Sequence, residues 1–204
     1  TRYSRVTGVQ TCALPIFAEA FISTMENARL EEIAAQPDAP FLGAGMGTGD
    51  VIGVIPTLNA TTFVAMTQDG KLNRGFETLF TEIERVRRHG FTQGEFERAQ
   101  ENIMRQIERT YANRNDRQNE FFVQTYLSNF QKNTPMPDAE TEWQLDSMLV
   151  KMVNVDMINA FVQQTVTPTN QVIVVTAPEK EGLASPTAEE LLAIRDKVMA
   201  SEVA

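Results

Sequence analysis

Gly43, Gly45, Gly47 and Gly49 alternate strictly in "GAGMGTG", and glycine spacing can mark a phosphate site. A dinucleotide fingerprint needs G-x-G-x-x-G ahead of a helix, and neither Gly43 nor Gly45 has its third glycine in that register. A phosphate loop needs Gly-Lys-Ser/Thr, which the run lacks. Period-two glycine instead strips the side chains from one face of a strand. A bare face has two uses: close packing of another backbone, the reading favoured at this point, or a wall facing substrate.

His89 is the only histidine. A hydrolytic zinc site takes two or three histidines plus carboxylates and keeps one position open for water, so His89 alone cannot build it. In "RRHGFT" it falls at a helix end, where partial positive charge is favourable, and a surface capping role is expected. The carboxylates Glu31–Glu32, Glu82–Glu84, Glu95–Glu97 and Glu189–Glu190 could act as general acids or bases. Their spacing reads instead as solvated helix faces balanced by Arg85, Arg98, Arg105 and Arg109. No Ser-His-Asp or Cys-His set is present. The residues thus nominate no catalytic, cofactor-binding or metal-ligating position.

The elements that would position any chemistry follow from periodicity. "FAEAFISTMENARLEEIAAQ" predicts an amphipathic helix with Phe17, Phe21, Met25, Ala28 and Leu30 inward, ended by Pro37 and Pro40. "FLGAGMGTGDVIGVIPT" and "ATTFVAMTQ" predict two strands with Pro56 and Asn59 between them, and Asp69-Gly70 a turn. "KLNRGFETLFTEIERVRRHG" predicts a helix with an apolar face of Leu72, Phe76, Leu79, Phe80, Ile83 and Val86, stopped by Gly90. Thr92 and Glu95 stand in capping-box register before a long helix that "ANRND" kinks or breaks. Asp138 or Thr141 opens a further helix, and "DMINAFVQQTV" is another. "NQVIVVTAP", with five consecutive β-branched residues, predicts a closing strand buried on both faces. "SPTAEELLAIRDKVMASEV" predicts a last helix.

The N-terminal segment stands apart. "VTGVQTCALPI", Val6 to Ile16, resembles the in-frame translation of a common sequencing adapter. Residues 1–16 are therefore expected to be non-native, with the true N-terminus missing. The chain carries 18 basic and 27 acidic residues, a net charge of −9. Without Arg2 and Arg5 the counts are 16 and 27, or −11. No basic stripe remains to neutralise phosphates or anionic lipid, so nucleic-acid and anionic-membrane binding are not expected. Cys12 is the only cysteine, leaving no disulfide and no thiolate metal site. No apolar run reaches the length of a membrane span.

Composition and spacing alone give an α+β domain with no assigned activity. Three stretches add a resemblance. "NARLEEIAAQPDAPFLGAGMGTGD", "TEIERVRRHGFTQGEFERAQENIMRQIE" and "NQVIVVTAPEKEG" resemble, in order and spacing, the non-catalytic domain of M16 (pitrilysin/insulinase-type) zinc peptidases. The resemblance implies a partial LuxS/MPP-like metallohydrolase domain, mainly an antiparallel sheet covered by helices on one face. Residues 17–184 would be the C-terminal portion of an inactive second domain, and 185–204 a linker helix toward a missing third domain.

The family's zinc sits on an H-x-x-E-H helix of another domain, and this sequence has no such motif. Where the family's fourth domain carries a substrate-binding Arg and Tyr, this chain has Ala34 or Ala35 and Ala44. The implied function is a chamber-wall fragment of a zinc endopeptidase, inactive alone, with no cofactor of its own and zinc in the full-length parent. The alternative is a fragment of a non-catalytic M16-like scaffold subunit. Implied partners are the missing M16 domains of the same chain and peptide substrates, with no nucleic acid and no membrane span. The implied compartment leans toward the bacterial periplasm. A truncated sheet would leave an unpaired edge.

Overall fold

In a computed structural model, residues 2–51, 55–178, 182 and 184–203 are described, with side chains of residues 2–15, 50–51, 55–59 and 132 excepted. Two compact units form, Thr1–Phe17 with Gln93–Asn154 and Ala18–Thr92 with Val155–Ala204. Both are predominantly helical. Among the described residues no helix is long and apolar enough to cross a membrane.

Helix α1 (Arg2–Ala34) begins at Arg2 and not at Phe17, so the helix continues upstream through the segment expected to be non-native. Propagating an existing helix fixes one residue per hydrogen bond, which explains how a segment of poor helical pattern joins a well-nucleated one. Cys12 lies on this helical backbone, and its side chain falls outside the described residues. In the second unit α1 buries Ala18, Phe21, Ile22, Met25 and Leu30, an inward face at helical spacing. It ends ahead of Pro37, as expected.

Strands β1 (Gly43–Val51) and β2 (Ile55–Met66) form the sheet, an antiparallel pair from Gly43↔Met66 to Asp50↔Asn59 with an irregularity at Asp50/Val51. Pro56 and Asn59 thus lie inside β2, not between the strands. Proline is tolerated near a strand's start, where the missing donor costs no central ladder bond. The connection, residues 52–54, lies outside the described residues.

The predicted closing strand is not a strand. Residues 171–178 have no strand partner among the described residues, and Val172 and Val174 are 87% and 75% exposed. Burial alternates along the segment, so β-branched residues keep it extended. A ladder needs a neighbouring strand, which propensity cannot supply. The sheet is therefore smaller, and the helical share larger, than expected.

Helix α2 (Leu72–His89) buries Leu79, Phe80 and Val86, and Gly90 caps it with φ 66°, its N–H on the Val86 carbonyl. Helix α7 (Ala188–Ala200) packs along α2, with Val198 and Val203 buried against Phe80 and flanked by Phe76, Ile83 and Met199. It opens with a full capping box: the Thr187 hydroxyl accepts from Glu190 N–H, while Glu190 accepts from Thr187 N–H. Helix α6 (Val155–Thr165) also lies against α2.

In the first unit α3 (Gln93–Ala112) packs on α5 (Ala139–Met152), and Gln100 donates to the Val150 carbonyl at 3.0 Å. Tyr111 stacks on Trp143 and bonds Glu140. The "ANRND" stretch does break the helix, through a 3-10 turn at Arg114–Asp116. Asp138 is the N-cap of α5, its carboxylate accepting from Thr141 N–H. Helix α4 (Asn119–Lys132) leaves Phe121, Phe122, Val123, Tyr126, Leu127 and Phe130 exposed.

A glycine ribbon as the candidate functional site

The alternating glycines face outward from the ribbon. Gly43, Gly45, Gly47 and Gly49 pair across the ladder with Met66, Val64, Thr62 and Ala60. Met46, on the opposite face, is buried. Close packing was the favoured use of this bare strip, and the geometry overturns it. A Cβ added at Gly43, Gly47 or Gly49 meets nothing within 4 Å among the described residues. Thr62, Val64 and Met66 beside the strip are exposed. The result is a shallow open depression lined by Asn27, Gly45, Gly47, Gly49, Thr62 and Val64. The glycine strip from Gly43 to Gly49, at ~3.4 Å per strand residue, is about 20 Å long.

One side chain pins the ribbon to α1. Asn27 Oδ1 accepts from Met46 N–H at 2.6 Å, and its Nδ2 donates to the Met46 carbonyl at 3.1 Å. Since both main-chain groups of Met46 reach Asn27, Met46↔Phe63 is a non-hydrogen-bonded pair of the β1–β2 ladder. The glycines therefore turn their main-chain groups toward β2. Ala44, Met46 and Thr48 turn theirs to the outer edge of β1.

The expected carboxylate faces divide. Glu31, Glu32, Glu189 and Glu190 are exposed, as is Glu97. Glu82 and Glu84 are not: they are 3% and 0% exposed. Of the arginines expected as solvated partners, Arg85 instead pairs with a buried carboxylate, and Arg87 and Arg88, not singled out in the sequence, hold the other. Glu82 pairs with Arg85, and Glu84 accepts from Arg87 at 2.8 and 2.6 Å and from Arg88 at 2.9 Å. Burial pushes the Glu84 carboxyl up, but the bonds from Arg87 and Arg88 outweigh it and hold the group below the usual glutamate range.

Arg88 also donates to the Ser201 and Met199 carbonyls at 2.7 Å each, satisfying orphan acceptors at the end of α7. His89 is exposed at the end of α2, and its Nε2 lies 2.7 Å from the Val203 carbonyl. That contact requires the proton on Nε2. This cluster secures a helix and offers no open position for a reacting atom. Nothing in the sequence distinguished Glu84 from the exposed carboxylates except two arginines following at three and four residues.

A second asparagine makes the same kind of clamp elsewhere. Asn159 of α6 accepts from Phe91 N–H at 2.8 Å and donates to the Phe91 carbonyl at 3.0 Å. Arg29 of α1 donates to the Gly90 carbonyl at 3.0 Å and stands 4.8 Å over the Phe91 ring.

A resident zinc does not fit the described donors. Among the described residues no three His, Cys, Asp or Glu side chains converge, and the Nε2 of His89 is engaged by Val203.

No model of a known protein family matches this sequence, and no curated protein sequence does. Solved structures do match in fold. The first half of the periplasmic protease PqqL from Escherichia coli superposes with a TM-score of 0.75 at 14% identity, over 96% of this chain and 42% of that one. The complete PqqL gives 0.78 at 16% identity, over 96% of this chain and 21% of that one. A predicted insulinase family protease from Yersinia pestis gives 0.78 at 14% identity, over 94% and 40%. The chain thus spans less than half of each of these matched chains, and its fold is that of a portion of these insulinase-family proteases.

Proposed function

We propose that this chain is a portion of an M16-type zinc-dependent endopeptidase, a stretch of the wall that encloses the substrate, with the zinc site carried elsewhere in the whole protein. The observation that carries the reading is the open glycine face on a fold shared with insulinase-family proteases. A side-chain-free strip about 20 Å long gives an extended peptide room to lie against backbone. Residues 17–184 then belong to the non-catalytic second domain, a LuxS/MPP-like metallohydrolase domain, and 185–204 lead toward the next. The sequencing-adapter origin of residues 1–16 and a periplasmic setting belong to the same reading; two matched neighbours are periplasmic proteases.

Zinc in the whole protein would supply Lewis-acid activation of water. The residues of this chain supply binding surface and no proton transfer. Two measurements test the proposal. Reading the source DNA upstream of the Phe17 codon is expected to reveal an H-x-x-E-H helix in frame; a frame without it makes the parent a non-catalytic M16-like scaffold. The chain alone, incubated with an unfolded casein probe and zinc, is expected to cleave nothing. Chelator-sensitive cleavage would refute the placement of the zinc site elsewhere.

A further inference from the structure

Helix α4 turns its apolar face to solvent. At about 100° per residue, Phe122, Val123, Tyr126, Leu127 and Phe130 share one face, and Glu120, Gln124, Ser128 and Gln131 lie on the other. An amphipathic helix ordinarily points its apolar face into the fold. Here Thr125, Ser128 and Asn129 are the half-buried residues, whereas the five apolar ones are exposed, Tyr126 to 60% and Phe130 to 88%. Among the described residues no helix or strand packs along α4 at length. Its foot is held by Arg117, which pairs with Glu142 of α5 at 2.9 Å and stands 4.4 Å over the Phe121 ring.

The apolar face is symmetric about Tyr126. Phe122 and Phe130 stand four residues to either side of it. Three aromatics at that spacing form a ridge, and the groove between it and Val123–Leu127 takes a like ridge from another helix. Run antiparallel, two copies of α4 set Phe122 of one against Phe130 of the other, with both Tyr126 at the two-fold axis. The charges agree with this register. Glu120 lies in the first turn, Lys132 is the last residue, and no charge stands between them. Antiparallel pairing therefore brings unlike ends together, in side-chain charge and in helix dipole. The chain carries a net charge of −9, so two copies meet at least electrostatic cost on an uncharged face with matched ends.

We propose that α4 is a homodimerisation helix, pairing antiparallel with the α4 of a second copy about Tyr126. This interface is independent of the peptide-facing role proposed above. A helix of 14 residues is ~21 Å long, and one face of it buries less than the ~800 Å² per partner of a standard interface. The dimer is therefore reversible, half-formed at about 50 μM.

The test is sedimentation of the full chain from about 5 to 500 μM. The wild type is expected to pass from monomer to dimer over that range. Tyr126→Glu sets two like charges against each other at the axis and is expected to weaken the dimer at least about tenfold, whereas Gln124→Glu, off the stripe, should leave it within about twofold. The register is read separately, with Cys12→Ser in the background. Phe122→Cys and Phe130→Cys chains, mixed and oxidised with copper–phenanthroline, are expected to join as a disulfide-linked pair far more readily than either chain alone. A monomer at every concentration overturns the second copy and gives the face to a different partner. A dimer that Tyr126→Glu leaves intact, or that Gln124→Glu weakens equally, overturns α4 as the interface. Cross-linking as efficient within each variant alone as in the mixture overturns the antiparallel pairing.

Discussion

Asn159 and Asn27 make the same pair of hydrogen bonds to one backbone residue, but a Cβ on the glycine beside Asn27, Gly45, would stand at an ordinary 3.4 Å from its Oδ1. At the α2–α3 joint, Gly90 has φ 66° and a Cβ there would stand 2.3 Å from Asn159 Oδ1. On β1, three of the four glycines have nothing within 4 Å of that position among the described residues. The first glycine is required by backbone conformation and close approach. The others are required by neither. Their spacing leaves an open face that nothing among the described residues covers.

That contrast orders the expected effects of substitution. The largest should come at the joint. Gly90→Ala forces a left-handed conformation on alanine and drives its Cβ into the Asn159 clamp, with an expected loss of about 3 kcal/mol in chemical unfolding. A loss below about 1 kcal/mol would mean that the joint relaxes freely. Asn159→Ala strips partners from both main-chain groups of the buried Phe91, and about 2 kcal/mol is expected in the same measurement.

Glu84 supplies a pH dependence. Its carboxyl is held below the ordinary glutamate range in the fold, since the bonds from Arg87 and Arg88 outweigh burial. The unfolded chain therefore binds the proton more readily, and the stabilisation is present above the ordinary glutamate range. It is lost as pH falls through the lower folded value. Glu84→Gln is expected to flatten the acid limb of stability against pH, whereas Glu97→Gln, at an exposed site, should leave it unchanged. Thr187→Ala removes half of the α7 capping box, with about 1 kcal/mol expected in thermal unfolding. Smallest of all, Gly47→Ala and Gly49→Ala on the open strip should each stay within about 0.5 kcal/mol.

The sequence was most legible where local chemistry decides the outcome. The inward face of α2 through Leu79, Phe80 and Val86, the stop at Gly90, and Asp138 as one of two candidate openers of α5 all follow from spacing and hydrogen-bonding type. It was least legible where a partner decides. Val172 to Thr176 have the composition of a buried strand, yet no strand lies beside them. Glu84 differs from Glu97 in sequence only by arginines three and four residues on, and its burial comes from where Arg88 also ties α2 to the end of α7. The glycine alternation announced a bare face without saying whether anything lies on it. That question is tertiary: the described residues leave the face open, against the packing expected of it.

The central claim is that the glycine face of β1 is a binding surface and not a packing interface. The most direct measurement is the Gly47→Val, Gly49→Val double variant, followed both by thermal unfolding and by binding of a fluorescein-labelled unfolded casein probe. Valine favours strands and here projects into open space, so the account predicts a Tm within about 3 °C of the wild type together with loss of probe binding. A fall in Tm of about 8 °C or more, the mark of lost packing on a chain of this size, would contradict it, as would unchanged probe binding.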